Sequence, residues 1–189
     1  MNINSDTGTL KYRARPLIFL DLETSGLEAE KHEIMEIGAV KVSPRKPYKI
    51  LGELEIKVNP KKFETADPEA LKVVEYSREK WKDATSVETA LKALDEFATD
   101  GILVGFNVTF DWAMLQKAYF ELGKLDPFHY HRLDVLSMAY LKLYGKSSLK
   151  RFSLSNVCKV LGVERGDKHQ ALSDARATYL VFKKLIGLK

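Results

Sequence analysis

The segment Leu17-Ile18-Phe19-Leu20-Asp21-Leu22-Glu23 sets two carboxylates at the end of a run that is otherwise apolar on both faces. Alternate residues of a strand point to opposite sides, so such a run describes a strand covered by packed layers above and below. Asp21 and Glu23 lie two positions apart and therefore share one face with Phe19, with alpha carbons roughly 6.5 Å apart. Two like charges at the end of a central strand carry repulsion and a desolvation cost unless a cation or a set of donors offsets them. Taken alone, an Asp-x-Glu pair is more often the solvated end of a strand.

The surrounding pattern supplies the rest of the fold. Ile34 to Val42 reads as a second strand. Ile50 to Val58 alternates, with Leu54, Ile56 and Val58 opposite Glu53, Glu55 and Lys57, so the first three strands form an antiparallel meander. Pro68 to Val74 can make a short helix. Thr85 with Glu88 forms a capping box before Val87, Ala90, Leu91, Leu94 and Phe97 at helical spacing. Ile102 to Phe106 is another short strand, Phe110 to Leu122 returns to the helical period with Gly123 as its stop, and residues 131–135 add a further strand. Helices then fall around Leu136 to Tyr144, Ser153 to Leu161 and Ala171 to Ile186. Strands first, then helix, strand and helices, predict an α/β fold with a mixed central sheet and helices on both faces.

Length and composition fit one unit. The 189 residues suit a single domain, 1–189, with 1–14 a flexible polar leader. At 45% hydrophobic and 30% charged the chain supports a packed core, and its one cysteine rules out an intramolecular disulfide scaffold and suggests a reducing compartment. No apolar run reaches the roughly 18 residues of a membrane span and the first residues lack a signal-peptide core, so the expected location is cytoplasmic, with no membrane partner. Charge is uneven: residues 142–189 hold 11 of the 30 Lys and Arg but only 3 of the 26 Asp and Glu. A basic end beside an acidic remainder suits an anionic polymer, and equally a solvated helical surface. Lys142, Lys146, Lys150 and Arg151, interleaved with Tyr140, Tyr144 and Phe152, are candidates for guiding a nucleic-acid backbone.

Two further carboxylates repeat the anomaly of the first strand. Asp111 shares a helical stripe with Leu115, Ala118 and Leu122, which turns it inward, and Asp174 shares one with Ala171, Thr178 and Leu185. Each is also a common first-turn acid favoured by the helix dipole. Three separate elements thus aim Asp21, Glu23, Asp111 and Asp174 toward the interior. Hard oxygen ligands with no cysteine partner and few histidines suit Mg²⁺ or Mn²⁺ better than zinc or copper, and two such ions fit phosphoryl chemistry. His129 and His131 alternate like ligands but sit in no fixed motif, which favours a structural role. Cys158 falls on the apolar stripe of Leu154, Val157 and Leu161.

Phe19 to Leu27 (FLDLETSGL), Gly105 to Asp111 (GFNVTFD) and His169 to Ala175 (HQALSDA), with Glu33 to Val42 after the first, resemble the three ordered motifs of the DnaQ-like 3′-to-5′ exonucleases of the DEDDh type. That family belongs to the ribonuclease H-like superfamily, and the likeness spans nearly the whole chain. The resemblance implies Asp21, Glu23, Asp111 and Asp174 as ligands of two Mg²⁺ or Mn²⁺ ions and His169 as general base. Single-stranded DNA or RNA 3′ ends would be cut to nucleoside 5′-monophosphates. It also implies that Thr24, Leu27, Phe106 and Asn107 lie near the terminal nucleotide, together with Glu69 in Asp67-Pro68-Glu69-Ala70. Two departures stand out. Val73-Val74-Glu75 replaces a His-Gly pair found in many relatives, and Phe106 stands where many carry His.

Two other readings start from the same residues. A non-catalytic nucleic-acid-binding or adaptor module on the same fold is expected to have lost a ligand or the base, whereas all five residues are present. A haloacid dehalogenase-type phosphatase needs a second Asp where Glu23 stands and an acid where Ala171 stands. Protein partners and oligomeric state are not readable at this level.

Overall fold

A computed structural model of the chain describes residues 11–146, 149, 151–167 and 169–187. Five strands, β1 (Leu17–Thr24), β2 (Ile34–Val42), β3 (Ile50–Lys57), β4 (Ile102–Gly105) and β5 (Arg132–Asp134), form one sheet in the order β3-β2-β1-β4-β5. β1, β2 and β3 pair antiparallel, while β4 runs parallel to β1 and β5 parallel to β4. Six helices complete the fold: α1 (Pro68–Val73), α2 (Val87–Ala98), α3 (Val108–Glu121), α4 (Val135–Leu143), α5 (Leu154–Leu161) and α6 (Ala171–Gly187). The expected mixed sheet covered on both faces is therefore present.

The alternation along β1 divides the core into two layers. Ile18, Leu20 and Leu22 face α2 and α3, packing with Leu91, Leu94, Met114, Leu115 and Tyr119. Leu17 and Phe19 face α4, α5 and α6, packing with Ala139, Val157, Tyr179 and Phe182. Asp21 and Glu23 continue the second set, so they project toward the α6 side at the carboxyl end of β1. Cys158 lies in that same core.

Local chemistry sets the element ends, with one departure from the expected caps. α2 is capped by Ser86, whose hydroxyl accepts the Thr89 N–H, and not by Thr85. Thr85 is spent in the sheet margin: its N–H donates to the Lys57 carbonyl and its carbonyl accepts from Asn59. α1 ends at Val73. The polar leader lies largely outside the described residues. Of its end, Tyr12–Ala14 makes a single 3₁₀ turn, with the Tyr12 ring against His129 and His131. Those two histidine rings stack on each other 5.0 Å apart. No helix among the described residues is long and apolar enough to cross a membrane.

Gly38 decides how closely the last helix approaches the sheet. It pairs with Asp21 across β1 and β2. A methyl group added there would stand 2.0 Å from the Leu172 nitrogen and 2.1 Å from the Ala171 carbonyl carbon. The first turn of α6 thus rests on the bare backbone of β2, directly beside Asp21. Gly38→Ala should force the helix away and destabilise the fold by about 1–3 kcal/mol. Gly145→Ala, where a new Cβ meets nothing within 4 Å, should stay within about 0.5 kcal/mol of the parent. Urea denaturation midpoints of the two variants give the comparison.

Candidate active site

The carboxyl ends of the parallel strands meet at one end of the sheet. Asp21 and Glu23 stand at the end of β1, Phe106 and Asn107 follow β4, and Asp134 closes β5. Asp134 is the organiser of that corner. Its carboxylate caps α4 through the N–H groups of Leu136 and Ser137, and it accepts the Asn107 N–H at 2.8 Å. Asn107 adopts a left-handed backbone (φ 70°) that turns the chain from β4 into α3. One turn later Asp111 is buried, and its Oδ1 accepts the Leu22 N–H at 3.0 Å, which locks α3 onto β1 between the two acids.

Asp174 arrives from the opposite layer, on the first turn of α6. It is buried and held by Arg165, whose Nε donates to Oδ1 at 2.6 Å and whose Nη2 donates to Oδ2, while Nη1 donates to Ser155 Oγ. Ligand atoms of Glu23, His169 and Asp174 all lie within 4.8 Å of one another. His169 itself is exposed and has a left-handed backbone (φ 60°). For a non-glycine residue that conformation costs on the order of 1–2 kcal/mol. It sits at the rim of a cleft of about 810 Å³ whose walls include Glu36, Lys57, Val74, Glu75, Trp81 and Gln170.

Burial makes this a site of frustrated ionisation. Burial, then the charges of Asp111, Asp174 and Glu23, hold the Asp21 carboxyl well above its ordinary value, with Arg165 opposing. Glu23 is pushed up to about 8, first by burial and then by Asp174 and Glu36. Burial lifts Asp111 to about 7 against the lowering effect of the Leu22 N–H. Three acids that resist losing their protons, beside the Asp174 carboxylate held by Arg165, form a donor set suited to a divalent cation, because added positive charge favours their ionised forms.

The residues expected to contact substrate surround this cluster. Thr24 is buried and its hydroxyl donates to the Gly26 carbonyl at 2.8 Å, shaping the turn after β1. Gly26 (φ 155°) lies against the ring of buried His32, where a Cβ would come within 2.5 Å. This turn leaves Leu27 80% exposed. The Ser25 carbonyl accepts the Asp67 N–H, tying the loop to α1, where Glu69 is exposed and paired with Lys72. Phe106 is half-buried and packs against the α4–α6 core, and Asn107 is exposed. Glu75, in the stretch that departs from the His-Gly pattern, adopts a left-handed backbone (φ 49°).

Two residues of the site were missed in the sequence. Glu36 is buried on β2, opposite Glu23, and its Oε1 accepts the Ala171 N–H at 2.9 Å. A signal existed, since Glu36 is a lone charge between Met35 and Ile37 in an apolar strand. Arg165 lies in a loop of ordinary composition and gave none.

Five strands in the order β3-β2-β1-β4-β5, with helices on both faces, are the ribonuclease H-like fold. The RNase_T family model, described as Exonuclease, matches residues 18–182, and the chain belongs to this DnaQ-like exonuclease family. Among curated relatives, the PolC-type DNA polymerase III of Thermotoga maritima is 30% identical over 171 residues, 90% of this chain and 12% of the polymerase. That of Bacillus subtilis is 30% identical over 169 residues, 89% of this chain and 11% of the polymerase. The chain therefore spans about a ninth to an eighth of these relatives. Among solved structures, Escherichia coli exonuclease I in complex with a dT13 oligonucleotide superposes with a TM-score of 0.78 at 17% identity, covering 92% of this chain and 41% of that one. The zinc-bound exonuclease I–single-stranded DNA complex gives 0.79 at 18%, covering 92% and 40%.

The raised carboxyls carry a pH signature. Between about pH 4.5 and 8 the folded protein keeps on Glu23 a proton that the unfolded chain has released, so this group's contribution to stability falls as pH rises through that window. Asp111 acts in the same direction up to about 7. With a chelator present, urea midpoints should fall from pH 5 to pH 8, and the fall should shrink in Glu23→Gln.

Proposed function

We propose that the chain is a metal-dependent 3′-to-5′ exonuclease that trims single-stranded DNA to nucleoside 5′-monophosphates. The observation that carries this reading is that the charges of Glu23, Asp111 and Asp174 all act on Asp21, while Glu23 and Asp174 reach within 4.8 Å of the exposed imidazole of His169 at the rim of an open cleft. Relatives that are DNA polymerases, and a structural neighbour holding dT13, support DNA as the strand.

Asp21, Glu23, Asp111 and Asp174 are the residues that would hold two Mg²⁺ or Mn²⁺ ions. When bound, such a pair supplies Lewis-acid activation of water and neutralises charge on the scissile phosphate and the leaving oxygen. His169 accepts the proton of the attacking water, a role suited to an imidazole within 4.8 Å of the ligand atoms of Glu23 and Asp174. A bond forms from the water oxygen to phosphorus as the bond to the 3′ oxygen of the preceding nucleotide breaks, and that oxygen takes up a proton. Leu27, exposed and apolar beside the first motif, stacks on or wedges beside the terminal base without selecting its identity. Thr24, Asn107 and Glu69 frame the same end, and Phe106 supports them from below.

The test is degradation of 5′-labelled single-stranded DNA and RNA oligonucleotides with Mg²⁺ or Mn²⁺. The expected result is a ladder shortening from the 3′ end, faster on DNA, lost with chelator and in Asp21→Ala. His169→Ala should keep Mn²⁺ binding by calorimetry and lower kcat by about 10² to 10⁴-fold. Metal-loaded protein that binds both oligonucleotides and cuts neither would establish a binding module instead, and preferential RNA cleavage would reassign the substrate.

A further inference from the structure

We propose that Glu36 is a positioning residue for the reaction: it fixes the first turn of α6, and through it the imidazole of His169 and the carboxylate of Asp174, against the acids of β1. This rests on the exonuclease reading, in which His169 moves the proton. The first N–H groups of a helix have no partner within the helix and must find one elsewhere. In α6 the Ala171 N–H finds it in a side chain 135 residues away, the Oε1 of Glu36 at 2.9 Å. A serine or aspartate just before the helix is the common local cap, and α2, α4 and α5 use Ser86, Asp134 and Ser153 in that way. α6 instead draws on the sheet, which ties the helix start to β2 and leaves His169 and Gln170 to face the cleft.

Three observations make this more than an end cap. Glu36 is directly opposite Glu23 in the β1–β2 register, and two residues on, Gly38 lets the backbone of Ala171 and Leu172 lie against the strand. The hydrogen bond and the close approach therefore fix the same turn from two points of β2. His169, two residues before Ala171, has a left-handed backbone that persists only where its surroundings impose it. Those surroundings are an anchor on each side: Arg165, bound to Ser155 and Asp174, and Ala171, bound to Glu36. Finally, Glu36 is 3% exposed in a region already crowded with acids. A carboxylate there is costly for folding, so its presence fits a role in holding the site.

The geometry makes the accepting oxygen and its reach decisive. Glu36→Gln keeps an oxygen at the same distance, Glu36→Asp keeps the charge but falls one methylene short, and Glu36→Ala removes both. With Mn²⁺ and a short single-stranded DNA, at a temperature where circular dichroism shows every variant folded, Glu36→Gln should stay within about threefold of wild-type kcat. Glu36→Asp and Glu36→Ala should fall at least tenfold with KM changed less than threefold. The His169 ring resonances, followed by NMR against pH in chelator, should move in Glu36→Asp and stay in place in Glu36→Gln. If Glu36→Ala does not fold, the Asp and Gln pair carries the comparison. Wild-type kcat in Glu36→Asp, or loss in Glu36→Gln equal to that in Glu36→Asp, would overturn the proposal. An inert wild type would overturn the exonuclease reading on which it rests.

Discussion

Asp21 and Glu23 are carried by a strand buried along almost its whole length, and their burial is the constraint that the rest of the site answers. A carboxylate taken out of water must be protonated, hydrogen-bonded or paired with positive charge. All three remedies are present within one corner. Burial lifts Asp21, Glu23 and Asp111 toward protonation. The Leu22 and Ala171 N–H groups are spent on Asp111 and Glu36, and one guanidinium, Arg165, is committed to Asp174. None of these remedies neutralises the whole cluster at neutral pH. The arrangement therefore trades stability for a concentration of buried carboxyl groups, as functional sites that break the rules of a well-packed core commonly do.

Topology explains why the acids can come from opposite layers and still meet. β1 lies between an antiparallel neighbour, β2, and a parallel one, β4. Sites in α/β sheets gather beyond the carboxyl ends of parallel strands where the connections diverge. Here β4 leads into α3 on one face while α6 returns across the other, so Asp111 and Asp174 approach the end of β1 from its two sides. Asp134, at the end of β5, joins the corner by holding both α4 and the start of α3. The placement of Asp111 thus depends on a third acid whose own work is structural.

Much of this was legible in the sequence, for physical reasons that also mark the limit. The strands were readable because burial on two faces erases polar alternation in β1 and preserves it in β3. The four acids were readable because each interrupts an apolar stripe. Local pattern fails where the partner is distant. Nothing near Glu36 or Ala171 announces their bond, and Gly38 is unremarkable until the helix that leans on it is in view. Arg165 was hidden for the same reason, since its loop carries no periodicity. The capping of α2 was misplaced by one residue, because Thr85 and Ser86 offer equivalent hydroxyls and only the pairing of Thr85 with β3 decides between them.

The basic excess of residues 142–189 reads differently once its members are located. Arg165 is spent on Asp174, and Arg176 makes a bidentate pair with Glu53 at 2.8 and 2.6 Å, so neither is available to a nucleic-acid backbone. Of the expected guiding surface, Lys150 lies outside the described residues, while Tyr140 on α4 lies against Tyr144 and Phe152 and Tyr144 is largely exposed. A phosphodiester brought to the cleft therefore meets an acid cluster whose nearest guanidinium, Arg165, is already committed to Asp174. At about 4 Å each unscreened carboxylate would repel a phosphate by roughly 4 kcal/mol at an effective dielectric of 20. On the proposed reading, this is why the cluster and the cation belong together. On that reading the acids that repel a phosphodiester are the same groups that would concentrate the positive charge it requires, and binding of the strand and readiness for hydrolysis become one event.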